Sequence, residues 1–172
     1  YDGVSELAPD IAESWNALNF DTDAFLGAVG LSDPAGETAY SALQQIWARP
    51  TCDVNGIMGG YTGAGAKTVI ASKASAKVSF RLVGDQDPKA IQAAFRAYVE
   101  SKLPEDCTAE FTGYGNDRAV SLPRDMPEIL KAQKALTAEW DKEAVLMGMG
   151  GSIPIVGEFK RVLDMDTLLM GF

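Results

Sequence analysis

Two places in this sequence hold residues that can grip an anion. The first is GMGGSIPI, Gly148 to Ile155, where glycines, a serine and a proline separate an apolar run from an amphipathic one. The pattern puts this turn between the end of a strand and the start of a helix, where ligands of open α/β sheets bind. The first N–H groups of a helix lack internal partners and carry partial positive charge, so they attract anions. Glycines such as Gly151 let a ligand approach the backbone, Ser152 can cap the helix or offer its hydroxyl, and Pro154 suits a first turn. The same residues also make a plain capped helix start, with glycine chosen for positive φ. The turn is not a P-loop, because the Gly-Lys-Ser/Thr ending is missing, and it is not a Gly-x-Gly-x-x-Gly turn. The second place is Arg81, on the wet side of a strand with Lys77 and Ser79. Its guanidinium can fork onto a carboxylate, or it can be a solvated strand arginine with a rim ion pair.

Missing residue types narrow the chemistry further. The 172 residues contain no histidine, which removes Ser-His-Asp and Cys-His nucleophilic schemes and every His-ligated metal site. Catalysis within this chain would have to rest on carboxylates, Lys, Tyr or Arg. Cys52 and Cys107 are too few for a disulfide framework or a metal site, and they are expected to be reduced and buried in a cytoplasmic protein. A net charge of -9 argues against a nucleic-acid surface. No apolar run reaches the ~18 residues of a membrane span. The N-terminus, YDGVSELAPD, has neither the basic nor the apolar region of a signal peptide, and it lacks a starting methionine, so the chain is expected to be a piece of something longer.

The elements that must position Arg81 and the glycine turn follow from periodicity. Hydrophobic residues at 47% and charged residues at 23% describe a folded chain of one mid-sized or two small domains. Residues 1–48 read as a helical arm or insertion, with Ile11, Trp15 and Leu18 on one face, Asp21 or Asp23 as a cap, Gly30 as a stop, and Tyr40, Leu43, Ile46 and Trp47 on another face. After Arg49 and Pro50 a strand is expected from Thr51 to Ile57. A second runs from Ala74 to Leu82, with Ala74, Ala76, Val78, Phe80 and Leu82 on the buried side. Asp87 then caps a helix with Ile91, Phe95, Tyr98 and Val99 as its stripe, and Thr108 to Tyr114 reads as a third strand. This order, spanning residues 49–117, is most of a ferredoxin-like sandwich without its first strand and helix. Its strand order puts Cys52 and Cys107 on opposite edges, too far apart to bond. Residues 118–172 alternate a helix capped by Asp125, a strand at Ala144–Met147, a helix at Ile153–Leu163 and a strand at Thr167–Phe172, an arrangement expected to form a parallel α/β layer. The fold class is therefore α+β, a ferredoxin-like portion followed by part of an α/β domain.

At this point two segments, KTVIASKASAKVSFRLVGDQDP (Lys67 to Pro88) and MGGSIPIVGEF (Met149 to Phe159), resemble the co-catalytic zinc exopeptidases and amidohydrolases, the dipeptidase branch most of all. The resemblance covers about residues 49–172 in order and spacing. It implies a parent with an α/β catalytic domain holding two zinc ions and a ferredoxin-like lid that dimerises. It further implies that Arg81 and Ser152, with the Gly151 backbone, hold the carboxylate of a small peptide or N-acyl amino acid. Thr68 would reach the partner subunit's active site. Asn55, in DVNG, stands where the family has a histidine; it can donate to an oxyanion but cannot carry positive charge. The metal-ligand positions of the family fall outside this sequence, so the resemblance implies an internal fragment, inactive by itself and binding no metal. The alternative is a non-catalytic dimerisation or ligand-binding module, distinguished by whether flanking sequence supplies metal ligands.

Overall fold

Three short helices open the chain, each started by a different device. The computed structural model describes residues 3–171. Helix α1 (Pro9–Asn16) begins with proline, whose fixed φ suits a first turn and whose missing N–H is no loss there. Helix α2 (Thr22–Gly27) is capped by Asp21, whose carboxylate accepts from the Ala24 N–H at 2.9 Å. Helix α3 (Ala42–Ala48) has a full capping box: the Ser41 hydroxyl accepts from the Gln44 N–H, and the Gln44 side chain accepts from the Ser41 N–H. Trp15 of α1 meets Trp47 of α3 edge-to-face with centroids 5.1 Å apart, a geometry aromatic quadrupoles favour. Just past α3, Arg49 forks onto Glu37 at 2.5 and 2.7 Å and lies over the Tyr40 ring, while the Tyr40 hydroxyl donates to Glu6. The Arg49 hydrogen bonds hold the Glu37 carboxyl below its ordinary value, and Arg49 is raised in turn.

Among the described residues the sheet is one antiparallel pair, β1 (Thr51–Gly59) with β2 (Ala74–Arg81). Its register puts Cys52 opposite Phe80 and Val54 opposite Val78 on one face, and Thr51 opposite Arg81 and Asp53 opposite Ser79 on the other. The ladder shifts between Val54 and Gly56, leaving Asn55 as a bulge residue without a ladder partner. Helix α4 (Pro88–Glu100), capped by Asp87 as expected, covers the apolar face through a Phe80–Phe95 contact at 5.3 Å. That cover reaches β2 and stops: Val78 and Phe80 are half-buried, while Cys52 and Val54 stay exposed. Both cysteines are unbonded, as expected, but both are exposed, contrary to the buried thiols read from the sequence. Cys52 sits on the uncovered strand of the pair, and Cys107 follows a surface turn closed by its N–H on the Pro104 carbonyl.

Three expected strands do not join a ladder among the described residues. Residues 108–114 run beside α4, with Ala109 and Phe111 half-buried, Arg96 stacked 5.6 Å from the Phe111 ring and Gln92 donating to the Gly115 carbonyl. Residues 144–147 and 167–171 likewise lack strand neighbours, and Phe172 lies outside the described residues. The parallel layer expected for residues 118–172 is thus absent there; a strand-forming pattern makes a ladder only where a neighbouring backbone completes its hydrogen bonds. Two helices of that segment do form. Helix α5 (Pro127–Trp140) is preceded by Met126 with no side-chain cap, so Asp125 does not cap it, and α6 (Pro154–Leu163) is preceded by Ile153. The architecture remains α+β. Among the described residues the buried apolar side chains are Trp15, Leu26, Ala42, Leu43, Pro88, Ile129 and Val156. The accessible surface is 13459 Å², whereas a compact monomer of 18.3 kDa would expose about 8,100 Å².

Candidate functional site

The two anion-gripping places of the sequence meet. Arg81, last residue of β2, donates from Nη1 to the Ser152 hydroxyl at 2.7 Å across 71 positions of sequence. The hairpin aims the guanidinium because Arg81 falls on its polar face, and the turn before α6 brings the serine. Two residues back on the same face, Ser79 accepts from Asn55 Nδ2 at 2.7 Å. The bulge lets Asn55 lean over this face rather than take a ladder position. Asn55, Ser79, Arg81 and Ser152 therefore form one polar row, and the remainder of the guanidinium fork, unpaired among the described residues, is available to a planar anion. Across the ladder, the Asp53 carboxylate accepts from the Thr51 hydroxyl at 2.6 Å. Ser152 does not cap α6: Ile153 holds the cap position and no side chain caps it, so the serine hydroxyl is committed to Arg81, while in the first turn Pro154 has no N–H and the Val156 N–H donates to the Ile153 carbonyl at 3.1 Å.

Two glycines of the turn meet a packing demand that their spacing did not announce. None of Gly148, Gly150 and Gly151 has positive φ. A Cβ on Gly148 would lie 2.6 Å from Trp47 Cβ, and one on Gly150 would lie 2.6 Å from the Ile46 carbonyl oxygen. The chain is pressed against the end of α3, and only hydrogen fits between. Gly151 is different, since a Cβ there would meet only the Met149 side chain at 3.6 Å. Its freedom leaves the backbone open on the side where Ser152 and Arg81 meet.

Thr68 is not brought to this row. It lies exposed on the loop from Gly60 to Lys73, which springs from the Gly59–Ala74 end of the hairpin. Seven residues of β2 separate that end from Arg81, about 24 Å at strand rise. No group of three or more Cys, Asp or Glu residues among those described could hold a metal ion, and histidine is absent from the sequence. The residues present do not fit a metal centre. At the far end of α6, Lys160 bridges Asp164 and Asp166 at 3.1 Å each, and those bonds raise its ammonium above the ordinary lysine value. Residues named in the sequence but not linked there to the site are Ser79, which anchors Asn55, and Ile46 and Trp47, which collar the turn. Their signals existed, a polar i, i−2 neighbour of Arg81 and large residues at the end of α3, but only the tertiary approach gives them meaning.

The family described as a peptidase dimerisation domain matches residues 6–107. A Cys-Gly metallodipeptidase of Candida albicans is 29% identical over 99% of this chain and 36% of its own length. Among solved structures, an M20 family metallo-carboxypeptidase from Sulfolobus solfataricus superposes with a TM-score of 0.79 at 25% identity, covering 95% of this chain and 37% of that one. Human carnosine dipeptidase 1 shares the fold, with a TM-score of 0.78 at 22% identity over 96% of this chain and 36% of that one. The chain thus spans about a third of the length of the proteins it matches.

Proposed function

This chain belongs to the peptidase dimerisation domain family, and from that premise we propose that it is the lid, with part of the catalytic domain, of a metal-dependent dipeptidase or N-acyl-amino-acid amidohydrolase. The residues proposed for the lid are 49–117, those for the catalytic part 118–172, and those for the arm 1–48. The observation that carries the reading is the 2.7 Å bond from Arg81 to Ser152, which joins the lid hairpin to the turn before α6. In the parent, the substrate carboxylate takes the open side of the Arg81 fork, with Ser152 and the Gly151 backbone completing its seat. Asn55 and Thr68 serve the partner subunit's site in a homodimer formed through the lid, Asn55 as a neutral oxyanion donor. Two zinc ions held by residues outside this sequence would supply an activated water and a polarised scissile carbonyl. This chain's share is binding and orientation, so the 172 residues alone hydrolyse nothing. A cytoplasmic location accords with two free, exposed thiols.

The test is Arg81→Ala in the longer polypeptide. A charge-assisted hydrogen bond is worth roughly 1.5–3 kcal/mol, so dipeptides with a free carboxylate should lose about ten- to a hundredfold in kcat/KM. The matching C-terminal amides, with no carboxylate to lose, should change much less. Equal losses on both substrates would make Arg81 a structural residue and remove the support for this site.

A further inference from the structure

Residues 144–150 alternate half-buried and exposed at every step, the burial pattern of a strand with one covered face. The inner set is Ala144, Leu146, Gly148 and Gly150, and the two glycines press on Trp47 and Ile46. One backbone edge is occupied by side chains at Ala144 and Leu146. Trp15 Nε1 donates to the Leu146 carbonyl at 3.0 Å, Gln133 donates to the Ala144 carbonyl at 3.2 Å, and Thr137 Oγ1 accepts from the Ala144 N–H at 3.0 Å. Alternate residues of an extended chain share an edge, so Val145, Met147 and Met149 own the opposite one. No hydrogen bond among the described residues reaches their backbone groups. Their side chains are also bare, at 54%, 61% and 55% exposure.

We propose that Val145–Met149 is a strand seat: its free edge takes a β-strand, and its outer apolar row takes a covering layer, both supplied by the part of the same polypeptide that lies outside these 172 residues. This deepens the fragment reading above and rests on it. The occupant follows from area. The chain exposes roughly 5,000 Å² more than a compact monomer of its mass, and a second copy bound through an interface of standard size covers only about 800 Å² per partner. The relatives carry about two thirds of their length beyond the matched region, enough chain to cover the excess. The partly occupied edge biases where the newcomer pairs. Trp15, Gln133 and Thr137 occupy the opposite edge at Ala144 and Leu146, which directs the newcomer to the Val145, Met147 and Met149 side.

Amide hydrogen exchange on the longer polypeptide and on the 172-residue chain tests this directly. The expected result is exchange at Val145, Met147 and Met149 about a hundredfold or more slower in the longer polypeptide, because ladder amides open only with the surrounding unit. Met147→Lys serves as the second reading: it should leave the melting temperature of the short chain unchanged and lower that of the longer one by several degrees. Equal exchange in both proteins overturns the proposal. So does slowing in the short chain that grows with its concentration, which would give the seat to a second copy. A longer polypeptide without metal or peptidase activity would sink the functional reading while leaving the exchange result to judge the strand seat alone.

Discussion

Gly150→Ala is the substitution on which the packing argument turns. Its Cβ would lie 2.6 Å from the Ile46 carbonyl oxygen, and the Gly148→Ala Cβ the same distance from Trp47 Cβ. Carbon–carbon contacts relax at about 3.5–4.0 Å and carbon–oxygen contacts a few tenths closer, so each methyl falls roughly 0.5–1 Å short. Neither obstacle can swing aside: one is backbone at the end of a capped helix, and the other is bonded directly to it. Overpacking of this kind costs about 1–3 kcal/mol, and immovable neighbours place both substitutions in the upper half of that range, or about 4–12 °C of melting temperature for a chain of this size. Gly151→Ala is the internal control, because its methyl meets only the flexible Met149 side chain at 3.6 Å and its φ is not positive. It should melt at the parent temperature or slightly above, since alanine restricts the unfolded chain by about 0.4–1 kcal/mol. Thermal unfolding followed by circular dichroism gives all three values in one series. If Gly150→Ala melted with the unsubstituted chain while Gly151→Ala melted early, the collar would be wrong and the glycines would owe their place to ligand approach alone.

Other outcomes can be checked independently. The Glu37 carboxyl sits below its ordinary value when folded, so its contribution is complete above that value and disappears as pH falls through the lowered one. Urea unfolding midpoints should therefore drop through the acid range below the usual carboxylate value, and Glu37→Gln should flatten that limb. Cys52 and Cys107 are both exposed and unbonded, so both should react with a thiol reagent in the native chain without denaturant; protection of Cys52 would contradict the partial cover that α4 gives the hairpin, and protection of Cys107 would contradict its place after a surface turn. Equilibrium dialysis of the 172-residue chain against zinc should leave no stoichiometric tight metal, and bound zinc at one or two per chain would overturn the reading that the ligands lie elsewhere.

The hairpin was legible because its signal is local. Alternation from Ala74 to Arg81 names both faces without reference to anything else, and Asp87-Pro88 announces α4 in two residues. The meeting of Arg81 with Ser152 was legible only through family resemblance, since 71 positions separate them and no periodicity spans that gap. The strands expected at 108–114, 144–147 and 167–172 show the limit of pattern reading. Their residues carry strand character, and the burial alternation at 144–150 honours it, but a ladder is a property of two backbones and only one is present. The exposed cysteines mark the same limit on the packing side: cysteine tends to be buried, but a helix that covers β2 and stops leaves Cys52 in water.

The bulge at Asn55 has an arithmetic consequence for β1. Val54 pairs with Val78 and Gly56 with Lys77, so the ladder counts straight across Asn55 as though it were not there. Losing one residue from a strand ordinarily turns everything beyond it inside out, because the side-chain period is two. Removing Asn55 would do the opposite and restore an unbroken count, with Ile57 still opposite Ala76 on the apolar face and Met58 still opposite Ser75. Asn55 is supernumerary to the pairing. What the deletion takes away is only the amide resting on Ser79, which makes this a position where a residue can be subtracted from the chemistry without being subtracted from the fold.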